Sequence, residues 1–160
     1  MELNPVDLGD KSEQKGDSVS TISLGIDSGA AVTVIPRELA KDYPVTGARL
    51  DKGYKIADGT TIPDEGKKQV AVALCTGERR VINPRVTAVH KPLLSVSEMV
   101  KSGHDVVFSD KASYAIHRST KEVTKFHQRR GVYEVDCEII PYSEAVSSSQ
   151  ALAPVEEQKR

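Results

Sequence analysis

The chain has 160 residues, 22 Lys+Arg against 23 Asp+Glu, and a net charge of −1. That length holds one compact domain with room for tails, and a hydrophobic content of only 38% implies that part of it is polar tail rather than core. The charge balance excludes bulk attraction to nucleic acid or anionic membrane, and no secretory signal or run of about 20 apolar residues is present.

Residues 1–17 are polar, without sustained periodicity, and read as a disordered leader or linker. A first strand is predicted over Ser18 to Ile26, with Ile22, Leu24 and Ile26 alternating. It delivers Asp27 onto a Ser28-Gly29 turn, after which Ala31 to Ile35 reads as a second strand. A carboxylate between two apolar strands is costly unless its oxygens are hydrogen-bonded or paired. Gly29 permits a turn tight enough for its own amide and that of Ala30 to point back at Asp27. An Asx-turn joining two strands would look the same, so the triplet alone leaves structural and catalytic readings open. Pro36 to Ala40 suggests one helical turn with Pro at its start, ended by Asp42-Tyr43-Pro44, with a loop over Val45 to Leu50.

Tyr54 to Ile62 carries a hairpin signal, with Asp58-Gly59 as a type I′ turn. It fits a flap closing over substrate or an ordinary surface hairpin, with Ala57, Asp58, Gly59 and Thr60 at the tip. A strand follows over Lys68 to Leu74, a turn at Thr76-Gly77-Glu78, and a return strand over Arg79 to Val89 that Pro84 bulges or places at an edge. Leu93-Leu94-Ser95 reads as a short buried strand entering a helix capped by Ser95 or Ser97 and ended by Gly103. Short strands are predicted at His104 to Phe108, Ser113 to His117, Glu122 to His127 and Gly131 to Cys137. Ser143 to Arg160 reads as disordered. The sum is a mainly β, barrel-like domain over 18–140, with a leader over 1–17 and a tail over 141–160.

Several blocks in order carry a resemblance: Asp27-Ser28-Gly29-Ala30, Ala57-Asp58-Gly59, Lys91-Pro92-Leu93-Leu94-Ser95-Val96, Gly103 with Val106-Val107-Phe108, and Gly131-Val132-Tyr133. Over residues 22–137 the chain resembles the protease region of copia-type retrotransposon polyproteins. The resemblance implies a retropepsin-like closed β-barrel or sandwich with one or two short helices, acting as an aspartic endopeptidase on a polyprotein. One Asp-Ser-Gly in 160 residues is too little for two pepsin-like lobes, so a homodimer would pair Asp27 with its symmetry mate. Gly29 would hold the carboxylate by its amide, Ser28 would brace the pair across the two-fold axis, and Ala30 would complete the loop. Leu93, Leu94 and Ser95 would form the strand under the site, with Ser95 where retroviral relatives place Gly. No Arg bracing the loop can be assigned; the following helix carries Glu98 and Lys101. The family implies no metal and no cofactor, a peptide substrate, and a cytoplasmic location that includes the interior of a virus-like particle. The alternative is a silent or domesticated copy of the fold, serving as a dimerisation or peptide-binding module.

Other constellations carry less. Gly59 to Gly66-Lys67 has the wrong spacing for a phosphate loop, with Lys68 where Ser or Thr belongs. His90, His104, His117 and His127 lack metal-ligand spacing. Cys75 and Cys137 lie far apart and outside any Cys-x-x-Cys, so free thiols of a reducing compartment are expected rather than a disulfide or zinc site. Lys125 to Arg130 is basic with one aromatic and reads as a solvated turn, with RNA contact as the competing reading.

Overall fold

The computed structural model describes residues 21–55 and 57–147, which form a mainly β domain with two short helices. In chain order the elements are β1 (Thr21–Asp27), β2 (Val34–Ile35), β3 (Arg49–Lys55), β4 (Thr61–Asp64), β5 (Val70–Leu74), β6 (Arg79–Ile82), β7 (Arg85–Val86) and β8 (Leu93–Ser95). Helix α1 (Val96–Lys101) precedes β9 (His104–Val107), β10 (Ser113–His117), β11 (Val123–Arg129) and β12 (Val132–Ile139), and α2 (Tyr142–Ser147) follows. No described helix is long and apolar enough to cross a membrane.

The main sheet runs β7-β2-β8-β1-β12-β11-β10-β9, with β5 and β6 branching from β12, while β3 and β4 form a separate two-stranded sheet. β12 is its hub: Glu134 to Glu138 pair with β1, and its other edge is shared by β11 and β5. The expected closed barrel is not found among the described residues. Closure needs the two end strands in register, and here β7 and β9 lie at opposite ends of the strand order without pairing. Along β1 the pleat sends Leu24 and Ile26 into the core with Val70, Val72, Leu94 and Val135. Ser23, Gly25 and Asp27 therefore share the opposite face.

Most predicted strands are present, and the departures have local causes. The strand expected from Ala31 shrinks to Val34–Ile35, because Ala30 O and Thr33 N are taken by the side chains of Ser95 and Glu98 rather than by the backbone of a neighbouring strand. The helical turn at Pro36 is absent: Leu39 N bonds Pro36 O, Ala40 adopts a φ of 55°, and Tyr43 N bonds Ala40 O, making successive turns. Pro84 splits the return strand into β6 and β7, as its missing amide predicts. The hairpin is present, but five residues separate the paired Lys55 and Thr61, and Asp58 is not among the positive-φ residues, so its turn is not type I′. Arg130 and Gly131, between the paired Arg129 and Val132, are both at positive φ and make that turn instead.

Part of the tail expected from 141 is ordered. Tyr142 stacks edge-on against Tyr43 with ring centroids 5.1 Å apart, Tyr142 N donates to Asp42 Oδ2, and Ala145 is fully buried. The leader over 1–17 and the tail beyond 147 lie outside the described residues. Tyr43 joins this corner to the sheet: its hydroxyl donates to Ile140 O at 2.6 Å and accepts Ala71 N at 3.2 Å. Tyr43→Phe keeps the ring contacts and strands both buried partners. A loss of about 1–3 kcal/mol in urea unfolding is the expected outcome, and an unchanged midpoint would contradict this assignment.

Candidate active site

Asp27 ends β1, half-buried, with Ser28 and Gly29 exposed just beyond it. Gly29 N donates to Asp27 Oδ1 at 2.7 Å, and Ala30 N lies 3.4 Å from Asp27 O. The predicted use of the Gly29 amide is therefore present, while Ala30 N turns to the backbone carbonyl rather than the carboxylate. Ser28 is exposed, on the open side of the loop.

The strand beneath is β8. It lies between β1 and β2, parallel to β1 with Asp27 opposite Ser95, and antiparallel to β2 with Val34 opposite Leu93. Gly25 allows this approach: a Cβ there would sit 3.0 Å from Leu93 Cδ2. Ser95 is the cap of α1, its hydroxyl accepting Glu98 N at 3.1 Å. That hydroxyl also donates to Ala30 O at 2.7 Å. Ser95 N donates to Thr33 Oγ1 at 2.9 Å, and Thr33 N donates to Glu98 Oε1 at 2.9 Å. A fully buried Ser95 and a buried Thr33 thus tie the Asp27 loop to the strand and helix below it.

The hairpin is joined to the site through β7. Arg85 N donates to Thr33 O and Thr87 N to Ile35 O, which fixes β7 on the strand leaving the Asp27 loop. Glu65 N donates to Val86 O, Val86 N to Gly66 O, and Thr87 Oγ1 to Pro63 O, which fixes the hairpin base on β7. Asp64 is 1% exposed at that base. Its Oδ2 accepts Tyr54 OH at 3.0 Å and lies 3.2 Å from Arg49 Nη2 and 3.6 Å from Arg85 Nη1, while Oδ1 accepts Gly66 N at 2.9 Å. Burial pushes the Asp64 carboxyl up, but the Gly66 amide, Tyr54 and the two arginines outweigh it and hold it below the ordinary value. The tip residues Ala57, Asp58, Gly59 and Thr60 are exposed, and Asp58 Oδ1 takes both the amide and the hydroxyl of Thr60. No hydrogen bond joins the tip to the Asp27 loop among the described residues.

Sequence reasoning missed a polar group on the same face of the sheet as Asp27. Ser23 and Gly25 pair with Asp136 and Glu134 across β1 and β12, and His127 pairs with Glu134 across β11, so all share the face that carries Asp27. Arg129 Nη1 lies 3.0 Å from Glu134 Oε1, its Nη2 lies 2.9 Å from Asp136 Oδ2, and Ser23 Oγ donates to Asp136 Oδ1 at 2.6 Å. Ligand atoms of His127, Glu134 and Asp136 lie within 4.8 Å of one another. The Arg129 guanidinium already supplies the positive charge there, so the group is an ion-pair network, and Arg129 is committed to it. The alternating polar residues of β12 were the available signal, but their partners lie on β1 and β11.

Arg129, followed by Ser23, holds the Asp136 carboxyl down to about 2, against an ordinary 3.8. A depressed carboxylate stabilises the fold fully above pH 3.8, and that contribution disappears as pH falls toward 2. Asp136→Asn should therefore cost on the order of 1–2 kcal/mol at pH 6, after allowance for the half-exposed Arg129. The gap from the parent should close in acid, and a gap constant between pH 6 and pH 2 would contradict the pairing. Both cysteines are free thiols; Cys137 is buried, which pushes it up to about 12, and Cys75 is exposed.

No protein-family model, no curated protein and no solved structure matches this chain. A cavity of about 440 Å³ lies behind it, between Leu94, Met99, Val72 and Phe126, with Thr33 and Glu98 in its wall and Asp27 outside. Asp27 instead stays half-buried on its loop, with Ser28 and Gly29 exposed beside it.

Proposed function

We propose that this chain is an aspartic endopeptidase of retropepsin type, acting as a homodimer on a polyprotein. The observation that carries the reading is the Asp27 loop. A single carboxylate is half-buried at a strand end, oriented by the Gly29 amide, braced from below by Ser95, and open on the side of Ser28. Among the described residues no second carboxylate hydrogen-bonds to Asp27, so one chain supplies half of a carboxylate pair.

Two close carboxylates cannot both ionise and share one proton as a coupled pair. The ionised Asp27 takes a proton from a water held between the two, and that water oxygen attacks the scissile carbonyl carbon. The protonated Asp27 hydrogen-bonds to the carbonyl oxygen as negative charge develops there. A proton then passes to the amide nitrogen as the C–N bond breaks, giving a carboxylic acid and an amine. The chemistry needs only carboxylates and water. The hairpin, as a flap, would pair with the peptide main chain and exclude bulk water, moving on the firm base around Asp64. The resemblance of the Asp27, Ala57 and Leu93 blocks to copia-type proteases supports a polyprotein as substrate and the cytoplasm, or a particle within it, as the place of action.

The test is cleavage of a diverse peptide mixture by the parent and by Asp27→Asn, from acidic to neutral pH, read by mass spectrometry. Products from the parent that vanish with the variant are expected. Products from both would assign the cutting elsewhere, and none from a folded, dimeric parent would leave a peptide-binding module.

A further inference from the structure

The structure assigns Glu98 as a positioning residue for the Asp27 loop, an inference that rests on the protease reading above. Ser95-x-x-Glu98 spells a capping box, in which the cap hydroxyl accepts the Glu amide and the Glu side chain returns to the cap amide. Only the first half of that exchange is present here: Ser95 Oγ accepts Glu98 N at 3.1 Å. The second half is opened to admit Thr33. Ser95 N donates to Thr33 Oγ1, and Thr33 N donates to Glu98 Oε1, both at 2.9 Å. Ser95, Thr33 and Glu98 close a ring of three hydrogen bonds, and a fourth runs from Ser95 Oγ to Ala30 O.

The ring grips the loop at Ala30 and Thr33, just downstream of the Gly29 amide that orients Asp27. It does so with groups that have no alternative in water, since Ser95 and Thr33 are buried. Glu98 is the member that can be altered most cleanly. Its side chain bonds a backbone amide, so replacement disturbs the loop without removing the cap of α1. Without that acceptor the Thr33 N–H is left unpaired, and the loop relaxes at a site where a misplacement of about 1 Å costs catalysis heavily. Glu98→Gln keeps a carbonyl oxygen in the same place and serves as the rescue.

The experiment compares parent, Glu98→Ala and Glu98→Gln as full chains, by peptide kinetics and by amide hydrogen exchange. Glu98→Ala should lower kcat about 10–100-fold with KM within about twofold, while Glu98→Gln stays within about threefold of the parent. Exchange at Thr33 should rise about tenfold or more in Glu98→Ala and stay near the parental rate in Glu98→Gln, with β10 and β11 unchanged. Parental kcat and exchange in Glu98→Ala would overturn the assignment. So would equal losses in both variants, or faster exchange throughout β10 and β11, which marks general destabilisation. A parent that cuts nothing overturns the protease reading instead, and Thr33 exchange then decides the ring alone.

Discussion

Mixing the parent with an equal amount of Asp27→Asn should reduce cleavage to about one quarter of that given by the same total amount of parent, because random pairing leaves only that share of dimers with two carboxylates. The variant alone should lose at least about 10³-fold in kcat/KM, since neither the general base nor the shared proton survives in a pair of amides. Asn fits the loop: its side-chain oxygen still accepts the Gly29 amide that Asp27 Oδ1 accepts at 2.7 Å. The fold and the dimer should therefore persist, and the dominant effect follows from that. Activity of one half in the mixture, the value for two independent populations, would mean that each chain works alone.

The hairpin base should be the most sensitive structural position. Asp64→Leu removes the acceptor for the buried Gly66 amide and for Tyr54 OH, and leaves Arg49 and Arg85 facing apolar surface. A loss of about 3 kcal/mol is expected, lowering Tm by roughly 10 °C for a domain of this size. Asp64→Asn can keep the Gly66 bond and gives up the charge pairing, so it should fall between parent and Asp64→Leu. Because the Asp64 carboxyl is held below its ordinary value, its contribution is full near neutrality and fades as pH drops through the carboxylate range. Limited proteolysis of Asp64→Leu should nick first within 49–64. Cuts spread evenly over the domain, or a Tm unchanged from the parent, would contradict the role given to Asp64.

What was legible in the sequence was local chemistry. Ser95 as the cap of α1, Gly103 beyond its end at a φ of 101°, and the turn around Gly77 depend on neighbours within a few residues. The Asp27 loop was legible for the same reason, since Gly29 sits two residues from the carboxylate it holds. Turn type was less so. Asp58-Gly59 looks like the better type I′ pair, yet Asp58 spends its side chain on Thr60, while Arg130-Gly131 is forced into that turn by the pairing of Arg129 with Val132. Nothing near Tyr142 announces a helix: its support comes from Asp42 and Tyr43, about a hundred positions earlier. Asp64 reads as one more polar residue in a loop until folding brings Arg49, Tyr54 and Arg85 to it. Glu98 was visible as a helix residue, but its grip on Thr33 spans 65 positions. Periodicity marked the strands one by one; it could not say that β7 and β9 would leave the sheet open.

The homodimer is tested by the initial rate of peptide cleavage against total protein concentration, taken well below and well above the dimerisation midpoint. A site built from two Asp27 carboxylates predicts a rate rising with the square of concentration at the low end and becoming linear at the high end. A rate proportional to concentration throughout, from a protein that sediments as a monomer, would contradict it.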